Sequence, residues 1–138
     1  MKRILLIATG GTIACKQTAS GLAPQLGAKE LLSYVRDRAE NVESIELFRM
    51  DSSNVQPEEW RAIAQAVADN MHNADGIVIT HGTDTMAYTS SMLSFMLRGI
   101  KIPVVLTGAQ YPMGMDGSDA AANLGDALTA ARELPGGV

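Results

Sequence analysis

Three short apolar runs, each closed by glycine and hydroxyl-bearing residues, set the rhythm of this chain. The first is Ile4-Leu5-Leu6-Ile7, followed by Thr9-Gly10-Gly11-Thr12. The second is Gly76–Thr80 (GIVIT), followed by His81-Gly82-Thr83-Asp84-Thr85; the third is Pro103–Thr107, followed by a loop over 108–117. Uninterrupted apolar runs of this length, bounded by turn residues, predict strands buried on both faces of a parallel sheet. Val42–Met50 alternates less regularly and predicts a further strand, ending at Asp51-Ser52-Ser53-Asn54. Between the strands the period becomes helical. Trp60, Ile63, Ala64, Val67, Ala68 and Met71 form one stripe, behind Pro57 at a first helical position and Glu58 and Glu59 in the first turn. Leu31, Leu32 and Val35 predict a short helix over 28–35. Tyr88, Met92, Phe95 and Met96 are the expected inward stripe of a helix over 86–97, with Thr85 at its cap. Leu124, Leu128 and Ala131 play that part in a helix over 119–132. Residues 16–27 have little periodicity and read as a flexible flap beside the first turn, and 135–138 as a connector to another strand.

Strands alternating with helices predict an α/β fold: a mostly parallel sheet with helices on both faces, three layers in a flavodoxin-like or Rossmann-like arrangement. Ligands of such sheets sit outside the carboxyl ends of the strands. Three of those ends here carry hydroxyls or carboxylates: Thr9 and Thr12, then Asp51, Ser52 and Ser53, then Thr83, Asp84 and Thr85. Each cluster also has a plain structural reading, since adjacent glycines make tight turns and Asp, Ser and Thr form local turns and helix caps.

Composition narrows the choice. The chain has 138 residues, 46% of them hydrophobic, with a formal net charge of −4, so a single core fits and a basic nucleic-acid-binding stripe does not. No run approaches a membrane span. Met1-Lys2-Arg3 and the apolar run imitate a signal peptide, but Gly10-Gly11 cut it short and no cleavage pattern follows. Cys15 is the only cysteine, which suits a cytoplasmic setting, and beside a turn it reads as a small semi-buried residue. The adjacent glycines lack the third glycine of a dinucleotide fingerprint, and no Walker lysine follows them. His72, His81 and Cys15 have no metal-ligand spacing, and His81 reads as a structural hydrogen-bonding residue.

Together, Thr9–Ala14 (TGGTIA), the Asp51-Ser52-Ser53 cluster before a Pro-Glu-Glu-Trp helix, and His81–Thr89 (HGTDTMAYT) resemble the bacterial-type L-asparaginase family, most closely its cytoplasmic, type I branch. Thr107–Pro112 (TGAQYP) and Asp116–Leu128 (DGSDAAANLGDAL) resemble the family's next strand end and helix. The resemblance implies hydrolysis of L-asparagine to L-aspartate and ammonia by a threonine double displacement, without cofactor or metal. It makes Thr12 the nucleophile, with Thr83 and Asp84 activating it alongside a lysine. Asp51, Ser52 and Ser53 would grip the substrate's α-carboxylate and amino ends, with Thr83 and Asp84 beside them, and Ala109 would make a backbone contact to its amide. The chemistry is consistent: a threonine hydroxyl needs a base, and a developing oxyanion needs fixed N–H donors.

The chain departs from the family in three respects. No lysine follows Lys101, no second domain is present, and the flap segment Ser20-Gly21-Leu22-Ala23-Pro24 has no tyrosine. The expectation is that residues 1–138 form the N-terminal catalytic domain without its last part or the C-terminal domain, without full turnover. The implied partner is a small amino acid, with no nucleic acid and no membrane. Because family members pair through both domains, a homo-oligomer is possible. The competing readings are a non-catalytic amino-acid-binding module, an amidohydrolase for glutamine or for glutamyl-transfer RNA, and a nucleotide-binding sheet.

Overall fold

The computed structural model describes residues 1–138. Four parallel strands form the central sheet: β1 (Ile4–Gly10), β4 (Val42–Met50), β5 (Gly76–Thr80) and β6 (Val104–Thr107), in the spatial order β4-β1-β5-β6. Every residue of β1 and β5 is buried, as uninterrupted apolar runs require. Alternate side chains feed two cores. Ile4, Leu6, Ala8 and Val78 pack with Leu31 of α1 (Ala28–Ser33) and with Leu124 and Leu128 of α4 (Ala120–Glu133). Leu5, Ile7, Ile77 and Ile79 pack on the other face with Ile63 and Val67 of α2 (Pro57–Asn70) and Leu93 of α3 (Met86–Met96). The fold is therefore the expected three-layer α/β arrangement. Each fully buried Leu or Ile contributes on the order of 1.5–3 kcal/mol of transfer free energy.

Numbered along the chain, the parallel strands run 2-1-3-4, the start of the flavodoxin-like order. Connections diverge from β1 and β5, so a crevice opens between their carboxyl ends. The chain returns beside β6 at its end: Gly137 bridges Pro103, and Val104 N–H donates to Gly137 O at 2.8 Å. The connector expected over 135–138 thus already pairs with the edge strand. This last crossover carries α4 on the α1 face, whereas α2 and α3, connecting in the same direction, lie on the other. It has the opposite hand to its neighbours and, as parallel crossovers are nearly always right-handed, is the left-handed exception.

Four expectations need correction. Residues 15–24 are an antiparallel hairpin, β2 (Cys15–Thr18) and β3 (Gly21–Pro24), rather than an unstructured flap. Thr18 Oγ1 donates to Gly21 O at 2.6 Å across the turn, and Gly21 has φ +112°. Next, Tyr88, Met92, Phe95 and Met96 point outward, Tyr88 and Phe95 being 67% and 70% exposed; α3 instead buries Thr89 and Leu93. Thr9 does not face the crevice: it is buried, and its hydroxyl donates to Thr80 O at 2.6 Å. Finally, Thr85 occupies the N-cap position of α3 but its hydroxyl caps nothing, donating instead to Ser52 O at 2.8 Å.

Candidate active site

The three strand-end loops meet because glycines let their backbones touch. The pairing of β1 with β4 shifts register between Ala8 and Gly10, and Gly10 adopts φ +106° where a Cβ would strike the Met50 backbone. Gly11, at φ +79°, donates its N–H to Met50 O at 2.9 Å, and a Cβ there would lie 2.6 Å from Gly82 Cα. A Cβ on Gly82 would lie 2.5 Å from Ser52 Oγ, and one on Gly108 2.5 Å from His81 O. Only glycine permits such approach. Bonds from Thr85 to Ser52 O and from His81 N–H to Thr107 O (2.8 Å) tie the loops further.

Between these loops lies a cavity of about 90 Å³ lined by Gly11, Thr12, Cys15, Leu22, Pro24, Asp51, Ser52, Gly82, Thr83 and Asp84. It opens at the junction of β1 and β5, where the strand order reverses. Thr12 begins a single 3₁₀ turn after Gly11, and Thr83 and Asp84, on the β5 loop, line the same cavity. Their side chains make no hydrogen bond within the protein, although Thr9, Thr80 and His81 just beneath are buried. A hydroxyl pair and a carboxylate left free at one concave rim are available to a ligand.

The remaining sequence-predicted residues divide. Asp51 and Ser52 line the cavity. Asp51 accepts from Ser53 N–H and Ser53 Oγ, both at 2.9 Å, and these two bonds hold its carboxyl below the usual carboxylate range. Ser53 therefore braces Asp51 from the outside of the turn and is not on the wall. Ala109 is also off the wall, its methyl buried in the α1/α4 core, though its neighbour Gly108 lies against His81 and Thr83. Five lining residues lie outside the expected site residues: Gly11 and Gly82, Leu22 and Pro24 from the hairpin, and Cys15. Burial, and then the Asp51 charge, push the Cys15 thiol up, so it is a protonated wall residue 3.5 Å from Gly11 O. Placing Cys15 three residues after Thr12 across a 3₁₀ turn was the available signal.

His81 is fully buried beneath the cavity. Its Nδ1 lies 2.8 Å from Gly82 O and its Nε2 2.9 Å from Thr89 Oγ1, which also accepts from Trp60 Nε1–H at 3.1 Å. Burial lowers its pKa, opposed in part by the Gly82 bond. The structural reading of His81 stands. No group of histidine, cysteine and carboxylate residues is arranged to hold a metal ion.

Residues 3–137 match the protein family described as Asparaginase, N-terminal. The chain is 47% identical to an L-asparaginase of Thermococcus kodakarensis over 97% of its length and 42% of that protein's. It is 40% identical to one component of a glutamyl-tRNA(Gln) amidotransferase from Saccharolobus islandicus, over 97% of this chain and 31% of that one. The Thermococcus structure superposes with a TM-score of 0.88. That of a probable cytoplasmic L-asparaginase from Campylobacter jejuni gives 0.84 at 33% identity, over 95% of this chain and 42% of that one. The chain thus spans less than half the length of these relatives. Its match over 3–137, together with the strand-end cavity, shows that the chain belongs to the bacterial-type L-asparaginase family and corresponds to the family's N-terminal domain.

Proposed function

We propose that these residues form the amino-acid-binding and nucleophile-bearing part of an L-asparaginase active site. The observation that carries this is the convergence of Thr12, Thr83, Asp84, Asp51 and Ser52 in the lining of one cavity. Asp51 or Asp84 would take the substrate ammonium, and the loop hydroxyls and N–H groups its α-carboxylate. In the proposed reaction Thr12 Oγ bonds to the side-chain amide carbon and gives up its proton. The C–N bond then breaks and ammonia leaves with that proton, which leaves an ester on Thr12. Water adds to the ester, aspartate departs, and the Thr12 hydroxyl regains a proton. N–H groups near Gly11-Thr12 and Gly82-Thr83 would stabilise the oxyanion in both steps.

No lysine, arginine or histidine lines the cavity, so Thr12 has only carboxylates near it as proton acceptors. We therefore expect residues 1–138, the N-terminal catalytic domain of this reading, to bind the amino acid and to turn it over slowly. No cofactor or metal enters this chemistry. The free Cys15 and the Campylobacter relative's name support a cytoplasmic setting as part of this reading. The test is calorimetry with L-aspartate alongside ammonia release from L-asparagine. Binding with slow release supports the proposal, whereas release at a full-length enzyme's rate refutes the slow-turnover clause. Absence of binding removes the amino-acid site altogether, and binding with no release at all favours a binding module.

The Saccharolobus relative favours one second reading, an amidohydrolase for a glutamine or glutamyl amide. The two substrates differ by one methylene, worth roughly 10–200-fold in a fitted pocket. L-glutamate binding more tightly than L-aspartate would select it.

A further inference from the structure

His81 lies directly beneath the cavity floor, and its ring closes a chain of hydrogen bonds whose two ends have fixed polarity. At one end the Trp60 indole can only donate, and it does so to Thr89 Oγ1 at 3.1 Å. At the other the Gly82 carbonyl can only accept, and His81 Nδ1 is 2.8 Å away. A bare Nδ1 lone pair would face that oxygen repulsively, so Nδ1 carries the proton. The ring is fully buried with no carboxylate bonded to it, which favours the neutral imidazole, as does its lowered pKa. Nε2 is then an acceptor, and the Thr89 hydroxyl, its oxygen already accepting from Trp60, donates to it at 2.9 Å. Every proton in the chain has one place.

The consequence lies on the other side of a peptide bond. In a trans peptide the carbonyl and the following N–H point in opposite directions. Turning Gly82 C=O onto His81 turns Thr83 N–H away from the imidazole, and Gly82, Thr83 and Asp84 all line the cavity. That N–H has no acceptor within the protein, and Gly82 has no side chain to lock the plane otherwise.

We propose that His81 is a positioning residue: as the Nδ1–H tautomer it holds the Gly82 carbonyl and thereby aims the Thr83 N–H into the cavity as an anion donor. The use of that donor rests on the asparaginase reading above; the tautomer and the peptide orientation do not.

The test is ¹⁵N NMR of the 138-residue chain. The imidazole nitrogens of His81 should show a protonated Nδ1 and a bare Nε2 from neutral to mildly acidic pH; a proton on Nε2 overturns the proposal. His81→Asn keeps a donor where Nδ1 stood, so the Thr83 amide signal should stay in place. His81→Leu should displace it and weaken L-aspartate binding about tenfold, the loss of roughly one hydrogen bond to an anion. Thr89→Val is the control for a merely structural role, expected to lower the melting temperature while leaving the Thr83 amide unmoved. A Thr83 signal indifferent to His81→Leu also overturns the proposal. Should that variant not fold, the wild-type tautomer and His81→Asn decide. If L-aspartate moves no cavity amide while the tautomer and the Thr83 response hold, the asparaginase reading fails and the positioning role stands.

Discussion

Thr12 is an ordinary hydroxyl until something takes its proton, and its placement matters more than its identity. In the proposed reaction, replacing it with alanine removes the group that bonds covalently to the substrate. Thr12→Ala should therefore lower ammonia release by about 10³-fold or more relative to the unmodified chain, while L-aspartate affinity changes by about threefold or less. Ammonia detection and calorimetry on the same preparation check both halves. His81 makes a separate prediction through stability. Its folded pKa is depressed below the usual value near about 6.5, so below that pH the unfolded chain takes up a proton that the folded chain refuses. Stability is fully present above about pH 6.5, falls as the pH drops towards the folded pKa, and then levels. Asp51 and Asp119 are also depressed, by hydrogen bonds from Ser53 and from the Gln110 and Tyr111 N–H groups; their contributions are lost only below the ordinary carboxylate range. Melting temperatures between pH 7 and 5 should thus slope downward in the unmodified chain and be flat in His81→Asn.

Among the elements, β5 and α2 lay close to the surface of the sequence, because an unbroken apolar run or one clear period leaves little freedom; β4 was legible despite its irregular alternation. Val42–Met50 and Gly76–Thr80 form the strands their patterns predict. Helix α3 did not yield its orientation. It has no charged residue from Met86 to Met96, so its apolar residues occur on every side and no periodicity tells buried from exposed. The hairpin was equally hidden: Lys16 and Gln17 are exposed and its strands are too short and polar to alternate visibly. Thr12, Asp51, Thr83 and Asp84 were legible as strand-end clusters, but the contacts that bring them together were not. Those contacts are glycine against backbone across distant parts of the chain, as between Gly11 and Gly82. Gly82→Ala would put a methyl carbon 2.6 Å from Ser52 Cβ. We expect it to cost about 1–3 kcal/mol and to abolish L-aspartate binding. Denaturant melts measure the first effect, and calorimetry the second.

At the scale of the whole molecule, apolar surface is exposed in two places, on the outer side of α3 and along the edge of β6. Tyr88, Phe95 and Met96 stand out on the helix, and a groove of about 650 Å³ runs beside it between Met86 and Val104–Leu106, closed by Leu134–Val138. Only Thr83 connects this groove with the strand-end cavity, so its size does not make it the chemical site. Exposed apolar surface of this extent favours association. The 138-residue chain should sediment as a dimer or larger species at tens of micromolar, and Phe95→Glu should shift it towards monomer without altering L-aspartate affinity. The most direct test of the strand-end cavity as an amino-acid site is an L-aspartate titration of ¹⁵N-labelled chain. Saturable amide shifts should concentrate at Thr12, Ser52, Thr83 and Asp84, with β6 and α3 silent. Shifts confined to the β6 groove, or none at saturating ligand, would contradict it.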